Sequence, residues 1–385
     1  MKILYISSTA FADCTIPLVK SLQDKGIDIT YLLTVTPKSL HSSIIDINSQ
    51  YPKVGIFHAS VYKELTAFKN YFNIEKFFVS NRTAGSNYKT FSYWKEYFQL
   101  IRFIKKGKYD YIHTDVYHTG FRVILYKLFR NWITTVHDPF PHSGSEKAKE
   151  NRYRKFVYNH SKGLVVLNQN QYDDFCKHYN LDTHKVLLNR LGIYENINMF
   201  AEEGETKRKN VLFFGRIAPY KGVEYLCKAM AIVQKQVPDA TLTIAGNGAF
   251  DFDIEKYHKK YKIDLRNRFI PVKEIAMLLR QCSVSVCPYT DATQSGVVMT
   301  CFAMGKPVIA TKVGGMEEMI EDGRTGLLIP PKDYEALAEA IIRILEDDKL
   351  RNDMSLNILY DYSKGDKAWA AIAEKYANFY KGLLE

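Results

Sequence analysis

The chain has no apolar run near the ~18 residues needed to cross a bilayer, so no membrane-spanning helix is expected. It has no Cys-x-x-Cys pair. Its six cysteines, at 14, 176, 227, 282, 287 and 301, are scattered through apolar segments without zinc spacing. That excludes a disulfide scaffold and a zinc module, and points to reduced, buried thiols in a cytoplasmic protein. The opening Met1-Lys-Ile-Leu-Tyr-Ile6 reads as a strand without a signal-peptide cleavage site, which supports the same expectation. No short internal repeat is present, so a solenoid is excluded. No Gly-x-Gly-x-x-Gly follows a strand, which argues against a dinucleotide dehydrogenase. No aromatic-interleaved RNP motif appears, so nucleic acid is not an expected partner.

At 385 residues the chain is long enough for two α/β domains, and 46% hydrophobic residues is a globular composition. The formal net charge is +11, with 27 Tyr and 22 Phe. Much of the basic and aromatic content gathers at Lys89, Tyr93, Trp94, Lys95, Tyr97, Phe98, Arg102, Phe103, Lys105, Lys106 and Lys108. Ordinary solubility charge and core packing account for part of it. An anionic lipid surface suits this cluster better than a nucleic acid does.

The apolar pattern alternates strand and helix. In the first half, strands are expected at 2–7, 28–34, 109–114, 132–137 and 163–168. Helices are expected at 15–25, 118–130, 152–160 and 169–179. The region 37–108 reads as long aromatic helices with a polar loop at 80–89. In the second half, strands are expected at 210–215, 240–245 and 284–286, and helices at 223–236, 272–281 and 334–347. Strands separated by helices mean parallel, doubly wound sheets. Residues 196–209 read as a linker, which gives domains at 1–195 and 210–365, with a C-terminal helix at 366–385 completing the first. Ligands bind at the carboxyl ends of such strands, in a cleft.

The most informative stretch runs from Asp291 to Glu318. It reads as a polar loop, a short helix, a buried strand and a glycine turn. Gln294, Ser295 and Gly296 stand where the helix begins, a position whose open N–H groups and dipole favour an anion. Gly305-Lys306-Pro307 ends the helix, Val308-Ile-Ala-Thr311 is the strand, and Gly314-Gly315 the turn. Upstream, Gly215 lets the chain turn after a strand, and Arg216 and Lys221 come next, before Gly222. Two cations at that spacing beside a helix start suit a diphosphate.

Together these segments resemble the C-terminal domain of GT-B glycosyltransferases of family 4, which are retaining enzymes that use nucleotide sugars. The matching pieces are Gly215-Arg216 with Lys221-Gly222, Ala245-Gly-Asn-Gly248, 301–311, Gly314-Gly315 with Glu318, and 321–327. The resemblance implies an α/β, GT-B fold: two Rossmann-like, doubly wound domains facing a central cleft. It implies that Arg216 and Lys221 hold the donor diphosphate, and that Gly215, Gly222, Asn247, Val272, Asp291, Thr293, Gln294, Ser295, Gly296, Val297 and Thr300 shape the donor site. His137, in Thr135-Val-His-Asp138, matches the histidine loop that contacts the donor sugar. Thr9 and Asp13 occupy the place of an N-terminal glycine-rich loop. With Asp138 and His142, they are the acceptor candidates. Two glutamates usual in the family are replaced by Ala292 and Thr300, so ribose binding falls to a single hydroxyl. Asp115, at another strand end, is a weaker candidate, and His113 and His118 read as structural.

The expected function is transfer of a sugar from a nucleotide diphosphate sugar to an acceptor hydroxyl with retention, in cell-surface glycan or polysaccharide synthesis. No cofactor or metal is expected, because the two cations do the work a magnesium ion does elsewhere. The expected partners are the nucleotide sugar, a glycan or lipid-linked acceptor and an anionic membrane surface, with peripheral attachment on its inner face. The rival readings are a catalytically silent partner subunit that binds sugar or lipid, and a sugar-nucleotide epimerase of the same fold.

Overall fold

A computed structural model of the chain describes residues 1–40, 42, 44–47, 53–140, 148–202, 209–292 and 294–384. The chain divides into two units, Met1–Gly192 with Trp369–Glu385, and Ile193–Ala368. Each is a sheet covered by helices.

In the first unit the described strands are β1 (Lys2–Ser8), β2 (Asp28–Val35), β3 (Gly55–His58), β4 (Phe77–Asn81), β5 (Tyr111–Thr114), β6 (Trp132–Val136), β7 (Gly163–Val166) and β8 (Val186–Leu188). They form one sheet in the order β3-β4-β2-β1-β5-β6-β7-β8. Only β3 runs antiparallel to its neighbour among these strands. β1 is the central strand, and Ile3, Leu4, Tyr5 and Ile6 are all buried, as a strand covered on both faces requires. Strand order reverses between β1 and β5. Their carboxyl ends therefore diverge and leave a crevice, the usual ligand position in such sheets.

The helix Phe91–Gly107 covers one face of this sheet. Thr90 caps it by accepting from the Tyr93 N–H at 3.3 Å. Its buried positions Tyr93, Tyr97, Leu100 and Ile104 recur every three or four residues, so one stripe faces the core. Trimming Leu100 to alanine there would cost about 2–5 kcal/mol. The last helix, Trp369–Gly382, belongs to this first unit and packs on the helix Ala12–Asp24. Asn189 Nδ2 donates to its Ile372 carbonyl at 3.1 Å, which ties the end of the first stretch of chain to the helix.

The second unit has β9 (Asn210–Phe214), β10 (Thr241–Gly246), β11 (Ile263–Asn267), β12 (Val284–Cys287), β13 (Val308–Thr311) and β14 (Gly326–Ile329), in the order β11-β10-β9-β12-β13-β14. All the described pairings are parallel. Strand order reverses between β9 and β12. Residues 213–222 leave the end of β9, and residues 288–296 leave the end of β12.

Three expectations need correction. Residues 37–108 are not a run of long helices. They carry β3 and β4, several 3-10 turns and one long helix. Phe77-Phe-Val79 is a short apolar run, and by pattern alone such a run is as compatible with a helix as with a strand. Residues 118–130 do not form one helix. Gly120 adopts φ +62, so the chain makes a 3-10 turn over Gly120–Val123 before the short helix Ile124–Leu128. Within 196–209, read as linker, the 3-10 helix Glu195–Phe200 packs against the helices Val272–Gln281 and Gly296–Ala303 of the second unit. Residues 203–208 lie outside the described residues.

Candidate functional site

In the second unit, three chain segments meet at the β9/β12 reversal. Gly215 N–H donates to the Ala245 carbonyl and Ile217 N–H to the Asn247 carbonyl, each at 3.0 Å, so the loops after β9 and β10 are zipped together. Thr290 N–H donates to the Tyr220 carbonyl at 2.8 Å, which joins the loop after β12 to the same group. Gly222 adopts φ +65, and a Cβ there would fall 1.9 Å from the Pro288 carbonyl oxygen. Only glycine lets these two loops approach so closely.

The two cations in this loop differ. Arg216 is exposed and donates from Nη2 to the Tyr220 hydroxyl at 3.2 Å. Lys221 is more covered than its loop position suggested. Its Nζ lies 3.6 Å from the centroid of the Tyr289 ring and 5.0 Å from that of Tyr220. Burial, with a smaller contribution from Arg216, pulls its pKa down to about 8. Tyr289 itself is fixed, because its carbonyl accepts from the Thr311 hydroxyl at 2.5 Å.

The helix Gly296–Ala303 starts beside this loop. Ser295 is its N-cap but makes no side-chain capping bond. Its buried hydroxyl lies 3.5 Å from the Tyr289 hydroxyl instead. The first turn is therefore not capped by Ser295, and its N–H groups point outward with the positive end of the helix dipole. Tyr194 lies against Gly296, where a Cβ would sit 2.9 Å from its ring. Val297 approaches Gly215, Val272 begins its own helix, and Asn247 and Asp291 are exposed. Gln294 is half-buried. Thr300 Oγ1 donates to the Gly296 carbonyl at 2.8 Å, leaving only its lone pairs for a ribose hydroxyl. Ala292 is buried, and Thr293 lies outside the described residues.

In the first unit, the β1/β5 reversal opens a cavity of about 320 Å³ walled by Phe11, Asp115, His137, Asp138, Arg154 and Tyr158, among others. His137 stacks on Phe11 with ring centroids 4.1 Å apart. Its Nε2 is covered and has no hydrogen-bond partner. Burial pulls its pKa down to about 4, so at neutral pH it is an uncharged ring. Asp138 offers its carbonyl to Arg154 Nη1 at 2.7 Å. Asp115 is buried, accepts from the Ser7 hydroxyl at 2.8 Å, and is pushed up to about 8 by burial. His113 is structural, as expected. Its ring nitrogens meet the Tyr380 hydroxyl at 2.5 Å and the Thr135 hydroxyl at 2.8 Å.

The remaining acceptor candidates are placed differently. Thr9 is buried and donates to the Ser39 carbonyl at 2.8 Å, so it ties the loop after β1 to the loop after β2. Asp13 is buried in the first turn of the helix Ala12–Asp24. His142 lies outside the described residues. The sequence reading missed Phe11, Arg154 and Tyr289. Tyr289 lies two residues beyond β12, and that position after a strand was the available signal. Nothing local marks Phe11 or Arg154. The sequence also holds one Asp-x-Asp spacing, Asp251-Phe-Asp253, but Asp253 Oδ1 accepts from Glu255 N–H at 3.1 Å and serves a short helix. None of the six cysteines forms a disulfide and all are buried, and burial pushes the Cys287 thiol up to about 11.

Comparison with known proteins matches both units. The family described as Glycosyltransferase Family 4 matches residues 15–193, and that described as Glycosyl transferases group 1 matches residues 208–347. An alpha-D-kanosaminyltransferase of Streptomyces kanamyceticus is 34% identical over 159 residues, which are 40% of this chain and 41% of that protein. The match thus spans less than half of that relative. A D-inositol 3-phosphate glycosyltransferase of Paenarthrobacter aurescens is 28% identical over 309 residues, 72% of this chain and 75% of that one. Among solved structures, sucrose-phosphate synthase from Thermosynechococcus elongatus superposes with a TM-score of 0.70 at 18% identity, covering 100% of this chain and 99% of that one. Anabaena HepE, solved in complex with UDP and glucose, superposes with a TM-score of 0.67 at 16% identity, covering 98% of both chains.

Proposed function

Because the chain belongs to glycosyltransferase family 4, with a group 1 domain in its second half, we propose that its second unit binds a nucleotide diphosphate sugar and its first the acceptor. The observation that carries this reading is the meeting of Arg216, Lys221 and the start of the helix Gly296–Ala303 at the β9/β12 reversal. A diphosphate there is met by a planar fork, a point charge and free backbone N–H groups.

The chemistry is transfer of the sugar to an acceptor hydroxyl with retention. As the sugar–phosphate bond breaks, negative charge grows on the leaving diphosphate. Arg216, Lys221 and the helix dipole stabilise that charge without a metal ion, and one such donor contributes about 3 kcal/mol. The leaving phosphate takes the acceptor proton as the new glycosidic bond forms on the same face. His137, uncharged at neutral pH, is assigned to the sugar's hydroxyls. The acceptor belongs to cell-surface glycan or polysaccharide synthesis and is lipid-linked or otherwise surface-bound. Phe91 and Phe98, which are 82% and 62% exposed on a helix that also carries Lys95, Arg102, Lys105 and Lys106, support peripheral attachment to an anionic leaflet. Among the described residues no helix is long and apolar enough to cross a membrane.

The test is incubation of the pure protein with a panel of nucleotide sugars, reading released nucleoside diphosphate and the anomeric configuration of the product. Release from one donor, with the anomer retained, is expected. No release from any donor, and no rise in melting temperature with any nucleoside diphosphate, would remove the reading.

A further inference from the structure

We infer that a second, larger cavity of the first unit is a subsite for an acidic group of the acceptor, a phosphate or a carboxylate, held by Arg82 and Arg122. The inference rests on the reading that this unit binds the acceptor.

The cavity holds about 530 Å³ and opens at the carboxyl ends of β2, β4 and β5, which deliver Thr36, Arg82 and Val116 to its wall. It shares Val116, Tyr117 and Thr119 with the His137 cavity, so the two are neighbours along one wall. Arg82 donates from Nη2 to the Gly85 carbonyl at 3.0 Å, while its Nε is covered and has no partner. Arg122 is only 3% exposed and pairs with the buried carboxylate of Glu96, and its Nε also has no partner. The other oxygen of Glu96 accepts from the Ser80 hydroxyl at 2.6 Å. His118 Nε2 is covered without a partner as well.

Charge decides what this wall wants. The carboxylate of Glu96 is taken by Arg122 and the Ser80 hydroxyl, while Arg82 donates only to a carbonyl and Lys38 adds a further positive charge to the wall. Arg82 is half-buried without a carboxylate partner, and an arriving anion would offset the cost of desolvating it. Burial first, and then the neighbouring Arg122, draw Arg82 down to about 10. The same surroundings keep His118 neutral, with its pKa well below the usual value. A planar guanidinium with open N–H groups matches carboxylate and phosphate oxygens. Tyr88 and Phe121, which meet edge to face at 5.1 Å and are 48% and 43% exposed, give the rim an apolar face on which a sugar ring can lie.

The test uses the full chain carrying Arg216→Ala and Lys221→Ala, so that an anion cannot be held by the donor loop. Calorimetric titration with inorganic phosphate, and separately with methyl glucuronide, should show saturable binding. Arg82→Gln added to that background should weaken it at least about tenfold. Ser86→Glu, an exposed rim substitution that leaves the buried wall intact, should weaken it in the same direction. Co-sedimentation with phosphatidylglycerol and phosphatidylcholine vesicles separates the sources. Recovery on the anionic vesicles that depends on Arg82 assigns the anion to a lipid headgroup. Phosphate or glucuronide binding that depends on Arg82 without such recovery assigns it to a soluble or glycan-borne acid. Absence of saturable binding, or binding unchanged by both substitutions, overturns the subsite. Donor hydrolysis by the unmodified chain is read in parallel. Its absence counts against the proposed function, whereas the anion titrations count on the subsite alone.

Discussion

The two sheet reversals of this protein solve the problem of binding in opposite ways. At β9/β12 the surface proposed for the donor is backbone and charge. Glycine brings the loops together, Arg216 reaches into solvent, and a helix start is left uncapped. At β1/β5 the surface includes buried side chains held neutral beside Asp138 and Arg154. His137 and His113 are pulled down, and Asp115 is pushed up, by burial. The difference teaches what each ligand demands. A diphosphate is recognised by charge and by N–H groups that any sequence can supply once glycine clears the way. A sugar hydroxyl is recognised by uncharged donors and acceptors whose positions must be fixed by packing.

The sharpest way to break this contrast is to remove charge from the donor loop. Arg216→Ala and Lys221→Ala should each lower turnover by at least about a hundredfold, near 3 kcal/mol, with unchanged melting temperature. Lys221 adds a pH signature. With its pKa drawn down to about 8, it is mostly protonated at pH 7 and loses that proton as pH rises through 8 unless a bound diphosphate holds it. Donor binding should therefore weaken as pH rises through 8, with proton uptake visible by calorimetry in two buffers, and Lys221→Arg should abolish that dependence. Equal donor affinity at pH 7 and pH 9 in the unaltered chain would count against the contact.

The second test attacks the backbone. Gly222→Ala places a methyl group against the Pro288 carbonyl at a positive φ. It should destabilise the fold by about 2 kcal/mol or more, read as a lowered midpoint in urea. An unchanged midpoint would mean the two loops part easily, and the donor surface would lose its rigidity.

These two surfaces were not equally legible in the sequence. The loops proposed for the donor stand out because their residues are contiguous: Gly215 to Gly222 and Gln294 to Gly296 each gather their polar and glycine residues within a few positions. The parallel sheets were readable from runs such as Val308-Ile-Ala-Thr311. The acceptor side was not. Arg82, Glu96 and Arg122 come from three separate segments, and only the packing of the helix Phe91–Gly107 brings them together. Thr9, an acceptor candidate, is turned inward to the Ser39 carbonyl. Phe11, which stacks on His137, carries no local mark at all. β3 and β4 were missed because a four- or five-residue apolar strand has too short a period to be told from a helix.

The third test uses pH on the neutral side chains. His137 at about 4 and His113 at about 3 lie below the 6.5 expected when unfolded. Between those values the unfolded chain holds protons that the folded chain refuses, so stability should fall as pH drops below 6.5. Asp115 acts in the other direction. Its folded value of about 8 exceeds the unfolded 3.8, so its contribution declines as pH rises between them. Each group contributes of order 1 kcal/mol per pH unit. Asp115→Asn should flatten the decline of a melting-temperature profile between pH 6.5 and 8 and steepen the acid limb below 6.5, where the carboxyl no longer offsets the histidines. A profile unchanged on both sides would show that the carboxyl titrates normally.

The smallest effect is expected at Thr300. Its hydroxyl donates to its own helix, so Thr300→Ala should change donor affinity by less than about threefold, under 1 kcal/mol. A larger loss would mean the hydroxyl's lone pairs carry a ribose contact, and one side chain would join the backbone in reading the donor.

The return of the helix Trp369–Gly382 to the first sheet sets an order of events during synthesis. The first unit is begun earliest and finished last, because Tyr380, which meets His113, is made after every strand of the other sheet. The second unit is complete in sequence at Ala368, before the returning helix begins. Until residue 380 emerges, the face of the first sheet around His113 lacks its cover. A released chain truncated after Ala368 should therefore carry one protease-resistant unit and one sensitive unit, and the full chain should protect both.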